Sequence, residues 1–375
     1  MRRPRSASEL SWARLGLALV VTLLGATVAA ACPLCYEAAR QMMTDGVRLD
    51  ATDRAVLAAR EGDGTLRIEA VVKGLDKVGD AVSDPVAEAD GAASALSEPS
   101  LLVRDPAAPQ WMSLGAIPLA DADWLKAIAA SRDIAGDRPK RTWPLTMSTA
   151  DSLSYAGWRA RIALVLPYLE NADPLAARLA WGELARAPYA TLEAARSKID
   201  ATRVEGWIDD PSLAPRRAAY LTLLGFVGGP KDGAGLDNRI ESALASHDAK
   251  DLAAMIAADL ELAGPSHVVW VETRFFADRK RTMPEIDAAL LALNVLGDAN
   301  GAVPRERVVE AYRDFIKARP PMAGFVAPQL ANWNSWDAAP EYAALMKSNA
   351  ALDPASEFAI VNYLKRAAEA GVATQ

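Results

Sequence analysis

The stretch DPLAARLAWGELARA, residues 173–187, contains the pattern that decides the fold of this 375-residue chain. Asp173 is a residue type that caps helix N-termini, and Pro174 suits the first helical turn because its missing N–H would have no partner there. The same Asp-Pro pair recurs at 210–211 and at 353–354. We therefore predict a helix over 175–187 and helical segments after the two other pairs.

A series of helices is predicted from Ser152 to the end of the chain. Apolar residues recur at helical spacing, as Ile162, Val165 and Leu169 do, and the connections are short and rich in proline, glycine and aspartate. The glycine-rich segment GGPKDGAG at 228–235 lacks the sequence of a phosphate loop and is predicted to be a helix-ending turn. The predicted helices span 158–170, 175–187, 213–229, 236–246, 251–264, 267–278, 283–297, 303–318, 322–333, 339–348 and 355–370.

The spacing of these helix openers indicates a repeat. The segments DPLAARLAWGEL and DPSLAPRRAAYLTLLG begin at residues 173 and 210 and share arginine, alanine, aromatic and leucine residues. HEAT-type helix pairs repeat about every 40 residues, and they stack into a solenoid because one pair cannot bury its apolar face alone. The alternative is an irregular helical domain with similar caps by coincidence. We predict the HEAT-like stack.

A β-rich region precedes the helices. In the segment 65–74, Leu66, Ile68, Ala70 and Val72 recur at every second position, which is the period of a half-buried strand. Short strands at this density predict a small barrel or sandwich. The other predicted elements of this region are strands over 54–60, 100–105 and 110–119, a loop over 79–97 and a helix over 120–133.

The N-terminus has the three parts of a secretory signal peptide. Four arginines within the first 14 residues precede an uncharged apolar run over 15–31, and small residues at 29–31 suit cleavage. The alternative is an uncleaved membrane anchor, because the run approaches the ~20 residues that span a bilayer. We expect export to a periplasmic or extracellular location, where disulfides persist. Membrane association would then require an uncleaved anchor or lipidation.

Composition and motifs exclude several classes of function. The net charge is −7 and no lysine- or arginine-rich run follows the apolar segment, so we expect no nucleic-acid partner. The two histidines, His247 and His267, lack the close spacing that completes most zinc sites, and we predict no metal ion and no cofactor. No G-x-S-x-G motif is present. The sequence therefore favours a protein without catalytic residues.

Cys32 and Cys35, the two cysteines of the chain, form a C-x-x-C pair directly after the apolar run. A thioredoxin-like enzyme has this motif after a strand and inside a βαβ unit, whereas no strand precedes it here. We predict a disulfide that closes a small loop near the start of the mature chain. Three alternatives stay open, namely thiol–disulfide exchange, copper(I) binding with Met42 and Met43 nearby, and lipidation of Cys32.

Two tryptophans are candidate binding residues. Trp333 and Trp336 lie in the segment NWNSWD, between two predicted helices. Exposed aromatic side chains on a solenoid surface are typical anchors for a protein partner. The burial habits of tryptophan favour the other interpretation, in which both rings pack between adjacent helices.

Two resemblances extend these predictions. The cysteine-initiated segment followed by DRAVLAAR and LRIEAVVKG is similar to the start of netrin-like modules, which implies an OB-type barrel. Most of the chain after the apolar run resembles exported, poorly characterised bacterial proteins that begin with C-P-x-C and continue through a small β region into HEAT-like helices. This second resemblance implies an exported protein with a small β region followed by HEAT-like helices. It implies no activity. The residues that carry it are CPLC (32–35), YLENADPLAARLAWGELARAPYATL (168–192), WIDDPSLAPRRAAYLTLLG (207–225), VPRERVVEA (303–311) and IVNYLKR (360–366).

The sequence therefore predicts an α+β, mainly α, protein in three parts. These are a signal peptide over 1–31, a small β-rich, OB- or barrel-like module over 32–145, and a HEAT-like α-solenoid over 152–370, which we expect to fold without the front half. We expect a non-enzymatic binding or scaffolding protein that uses its helical surface to bind a protein partner. The alternative is an extracytoplasmic thiol–disulfide or copper-handling protein centred on Cys32 and Cys35.

Overall fold

The computed structural model describes residues 44–85, 98–104, 110–138, 153–348 and 352–372. Within these ranges the protein is mainly helical, with a small four-stranded antiparallel sheet near the N-terminus. The predicted α+β, mainly α class is confirmed at this level. No helix in these ranges combines the length and the apolar character that crossing a bilayer requires. The apolar run over 15–31 lies outside the described residues.

The sheet contains the four strands that the sequence predicts. They are Arg54–Arg60 (β1), Leu66–Lys73 (β2), Ser100–Arg104 (β3) and Trp111–Ala116 (β4). Their order is β2-β1-β3-β4, and each neighbouring pair is antiparallel. Along β2, the side chains at every second position are buried, as the period of two in the sequence indicates.

Each helix predicted after Ser152 corresponds to an observed α-helix, in several cases extended by a 3₁₀ or π-helical turn. The short helices α1 and α5 were not predicted. The α-helices are Asp45–Ala51 (α1), Ala122–Ala130 (α2), Tyr155–Val165 (α3), Pro174–Arg186 (α4), Ala201–Asp209 (α5), Arg217–Val227 (α6), Pro230–Ser246 (α7), Leu252–Ala263 (α8), Val268–Val271 (α9), Met283–Ala299 (α10), Arg305–Ala318 (α11), Ala327–Asn332 (α12), Ala339–Lys347 (α13) and Pro354–Glu369 (α14).

The three Asp-Pro pairs begin helical segments, which confirms the prediction made from the opening stretch. Asp173 Oδ1 accepts a hydrogen bond from the Ala176 backbone N–H at 2.8 Å, so it caps α4. Asp210 and Asp353 each accept a hydrogen bond from the backbone N–H two residues later. Asp210 opens a 3₁₀ turn, whereas Asp353 opens α14.

The prediction of a turn over 228–235 was wrong, because α7 begins at Pro230. The Gly229 N–H donates to Asp232 Oδ2 at 2.7 Å, and the Asp232 N–H donates to the Gly229 carbonyl oxygen at 3.0 Å. This reciprocal cap, together with a proline in the first turn, stabilises the helix start. The cap and the proline offset the low helix propensity of Gly233 and Gly235, which lie further along the helix.

One face of the sheet packs against the helices, and its buried apolar side chains belong to the same cluster as those of the helices. A second, smaller cluster within the sheet includes Val56, Ile68 and Trp111. Trp124 of α2 stacks on Tyr168, with ring centroids 3.9 Å apart. The Trp124 Nε1–H donates to the Leu164 carbonyl oxygen at 2.9 Å. Buried contacts therefore cross the predicted division between residues 32–145 and 152–370.

Contacts among the helices run mainly between elements that are close together in the chain. α6 packs against α5 and α8, and α8 packs against α7 and α10. α10 contacts α11, and the 3₁₀ segment Pro320–Val326 contacts both α11 and α14. From α5 to α14 the helices thus pack mainly against near neighbours in sequence, whereas α1 packs against the distant α4.

Gly324, in the segment Pro320–Val326, lies directly against the first turn of α14. Its N–H donates to Ser356 Oγ at 3.0 Å, and a Cβ added to Gly324 would lie 2.7 Å from the Ser356 carbonyl carbon. Backbone atoms cannot move aside as a flexible side chain can. We therefore expect Gly324→Ala to lower the free energy of unfolding by about 1–3 kcal/mol, measured by urea unfolding.

Gly233→Ala is the matched control for this variant. Gly233 lies inside α7, and an added methyl group there would contact no atom outside the helix. Alanine forms helix better than glycine, so this change should leave stability equal or raise it by up to about 1 kcal/mol. Equal urea midpoints for the two variants would contradict the predicted close approach at Gly324.

Candidate functional site

The two cysteines, Cys32 and Cys35, lie outside the described residues, so their disulfide and its alternatives stay predictions. The described chain begins at Thr44, whose Oγ1 accepts a hydrogen bond from the Val47 N–H at 3.3 Å and caps α1. α1 then packs against α4. The first described helix therefore lies against the helical region.

Trp333 is half-buried and contacts two helices. Its ring stacks on Tyr312 of α11, with centroids 5.9 Å apart and an interplanar angle of 5°. Its Nε1–H donates to Asp298 Oδ1 of α10 at 2.7 Å, and the Arg305 guanidinium lies 5.4 Å from the ring centroid. The ring is therefore held between α10 and α11.

Trp336 is also half-buried. Its ring centroid lies 5.3 Å from that of Tyr363 on α14, and the Arg366 guanidinium lies 5.9 Å from the Trp336 ring. Both tryptophans thus pack beside neighbouring helices and keep part of their surface exposed. A role for Trp333 and Trp336 in partner binding stays a prediction.

α14 has an exposed apolar surface. Phe358 is 71% exposed and Val361 is 48% exposed, and their spacing of three residues puts them on the same side of the helix. The opposite side of α14, with Ile360 and Tyr363, is buried. Lys365 lies one turn beyond Val361 and is exposed. We call Phe358, Val361 and Lys365 the α14 outer face.

Four buried charged side chains join α1 to α3 and α4. Asp50, Arg161, Glu183 and Arg186 are each at most 5% exposed. Arg161 donates to the two Asp50 carboxylate oxygens at 2.8 and 2.9 Å. Arg186 Nη2 donates to Asp50 Oδ2 at 2.6 Å and to Glu183 Oε2 at 2.7 Å. These four side chains, the Asp50 network, pair two cations with two carboxylates.

The electrostatics of this network favour ionised Asp50. Burial alone would favour the neutral carboxyl group, but the hydrogen bond from Arg161 and the positive charges of Arg186 and Arg161 outweigh it. The pKa of Asp50 is therefore lowered below its ordinary value. Since the network satisfies its own charges, its role is to hold the fold together.

A second group of polar side chains was missed by the sequence analysis. Asp237, Asp259 and His267 each bring one ligand atom within 4.8 Å of the other two. The sequence predicted no metal because His247 and His267 are not closely spaced, but these three side chains come from three separate elements. Only tertiary packing brings them together, so no spacing rule could find them.

A comparison of the chain with family models, curated proteins and solved structures found no match. The functional proposals rest on the sequence and on the geometry of the described residues.

Proposed function

We propose that this protein is an exported, non-enzymatic binding or scaffolding protein that holds a protein partner on its helical surface. Its proposed architecture is a small OB-type β module followed by a HEAT-like solenoid. The proposal of a periplasmic or extracellular location rests on the basic start and the apolar run over 15–31. The observation that carries the binding function is the α14 outer face.

Two observations support the proposed architecture. The helices contact mainly their neighbours in the chain, as stacked repeats do. The four antiparallel strands would supply most of an OB-type barrel, which has five.

The exposed apolar side chains of α14 support an interface on this helix. Phe358 and Val361 are 71% and 48% exposed, and their burial against a partner would stabilise a complex. The complementary partner is a protein with an apolar contact for Phe358 and a carboxylate for Lys365.

Phe358→Asp should weaken binding of the partner and leave the folded structure unchanged. The exposed position tolerates a charge, whereas an aspartate buried at the interface would be unpaired, so we expect the affinity for the partner to fall by about 30-fold or more. Tagged wild type and variant are recovered from the envelope fraction of the producing cell. A protein that co-purifies stoichiometrically with the wild type is then titrated against both purified chains.

Asn362→Asp is the matched control, because Asn362 is exposed on the same helix and receives the same charge. It should keep the partner that Phe358→Asp loses. Equal affinity of both variants, or the absence of a stoichiometric partner, would contradict the proposal. Insulin reduction by the wild type but not by Cys32→Ser would instead support the thiol–disulfide alternative.

A further inference from the structure

Three side chains from three elements meet near the end of α8. Asp237 lies on α7, Asp259 lies on α8, and His267 ends the 3₁₀ turn Pro265–His267. Gly264 terminates α8 with a φ of 80°, a conformation that glycine adopts without steric cost. The resulting reversal of the chain brings His267 back beside Asp259.

Asp259 and His267 are at hydrogen-bond distance but are not aligned as a hydrogen bond. Asp259 Oδ2 lies 2.9 Å from His267 Nε2, yet both atoms are buried without a hydrogen-bond partner. A hydrogen bond requires the N–H to point at the oxygen. Two atoms that bind one cation instead both point at a third position, and in a tetrahedral site with bonds of about 2.0–2.2 Å neighbouring ligand atoms lie ~3.4 Å apart. The observed separation of 2.9 Å would widen slightly when an ion is bound.

Among the described residues, His267 is the one cationic side chain that can pair with the charge of Asp259. The residue is 3% exposed, and among the described residues no lysine or arginine forms an ion pair with it. A buried carboxylate oxygen without a partner is unfavourable. A bound cation would remove this penalty.

We propose that Asp237, Asp259 and His267 bind a divalent transition-metal ion, for which Zn²⁺ is the test ion. The imidazole nitrogen favours zinc and its first-row neighbours over Mg²⁺ and Ca²⁺, which prefer oxygen ligands. The two carboxylates balance the charge of the ion. Trp270 stacks on His267, with centroids 5.3 Å apart, and restrains the ring.

The ligand atoms need only small movements to surround an ion. In a tetrahedral site with bonds of about 2.0–2.2 Å the ligand atoms lie ~3.4 Å apart, and the three atoms here lie within 4.8 Å of one another. Asp237 is exposed, so the ion can enter from solvent and keep a water ligand on that side. This site is independent of the α14 outer face and of the cysteine pair.

Calorimetric titration of the metal-free full chain with ZnCl₂ tests the site. The titration uses a Cys32→Ser/Cys35→Ser background, which removes the thiolates as competing ligands. We expect one Zn²⁺ per chain, with affinity reduced about 100-fold or more by Asp259→Asn or His267→Gln. Binding should weaken as the pH falls, because zinc competes with protons for the carboxylate and imidazole ligands. Asp237→Asn, at an exposed position, should weaken binding without disturbing the core.

His247→Gln is the matched control, since it removes the other histidine of the chain, whose side chain is 63% exposed. It should bind zinc as the parent does. Zinc should raise the melting temperature of the parent but not of Asp259→Asn. The metal-free Asp259→Asn protein should melt no earlier than the parent at neutral pH, because the change removes a buried charge. Absence of zinc binding by the parent, or equal binding by Asp259→Asn and His247→Gln, would overturn the proposal.

Discussion

Replacing Asp50 by alanine is expected to lower the free energy of unfolding by about 3–5 kcal/mol, because it leaves two buried arginines with one carboxylate. Arg161 donates to both oxygens of Asp50, and Arg186 donates to one of them. After the substitution, Glu183 is the remaining anion of the network. Water cannot solvate the uncompensated charge at positions that are at most 5% exposed. Urea unfolding followed by circular dichroism measures the loss.

Asp209→Ala is the control for Asp50→Ala. Asp209 pairs with Arg239 on the surface, where both side chains are exposed, so its loss should change stability by about 0–1 kcal/mol. A similar small effect of Asp50→Ala would contradict the structural role of the network.

The stabilisation by Asp50 should depend on pH in a defined direction. The folded-state pKa of Asp50 lies below its ordinary value of 3.8, so the ionised form is favoured by folding. The stabilisation is then fully present above about pH 4 and is lost as the pH falls through the folded-state pKa. The difference in stability between wild type and Asp50→Ala should therefore shrink in strong acid.

A chain that contains only residues 152–370 should fail to form the native packing of the full protein. The boundaries drawn from the sequence imply independent folding, but the described structure gives reasons to expect the opposite. The fragment lacks Trp124, which covers Tyr168, and Asp50, which neutralises Arg161. Apolar surface that the sheet buries would also face water. We expect helical far-ultraviolet dichroism with weak near-ultraviolet signals, dye binding and aggregation.

A nicked full chain is the control for this fragment. A protease site inserted at residues 145–147 allows the complete protein to be cut after it has folded. The two pieces should remain together, because the buried contacts between them do not need a covalent link. A monomeric fragment 152–370 with the urea midpoint of the full chain would contradict the expected loss of packing.

Local sequence signals predicted the elements of this fold well, because caps and periodicity act over a few residues. Asp173 caps α4 and the alternating residues of β2 are buried, as expected. α1 was missed because its seven residues, DGVRLDA, are too few to show a helical period. The start of α7 was missed because glycines at 228–235 indicate a turn unless the Gly229–Asp232 cap is recognised.

The candidate sites were less predictable, since they depend on contacts between distant segments. Asp50 and Arg161 are 111 residues apart in sequence, and neither carries a motif that indicates the other. His267 acquires its acidic neighbours only when α7 and α8 pack together. Phe358 is exposed because the opposite side of α14, with Ile360 and Tyr363, packs on the rest of the protein. The sequence pattern alone did not show which side of this helix is buried.

The residues of the Asp50 network are far apart in sequence, so they are synthesised at different times. Asp50 is synthesised before Arg161 by 111 residues and before Arg186 by 136 residues. At ribosomal rates of about 5–20 residues per second, Asp50 exists for roughly 7–27 s before Arg186 has been added. Until then the carboxylate must remain hydrated, so α1 cannot take up its final position. A nascent chain stalled before residue 186 should therefore leave α1 open to protease attack, and one stalled well beyond it should protect that helix.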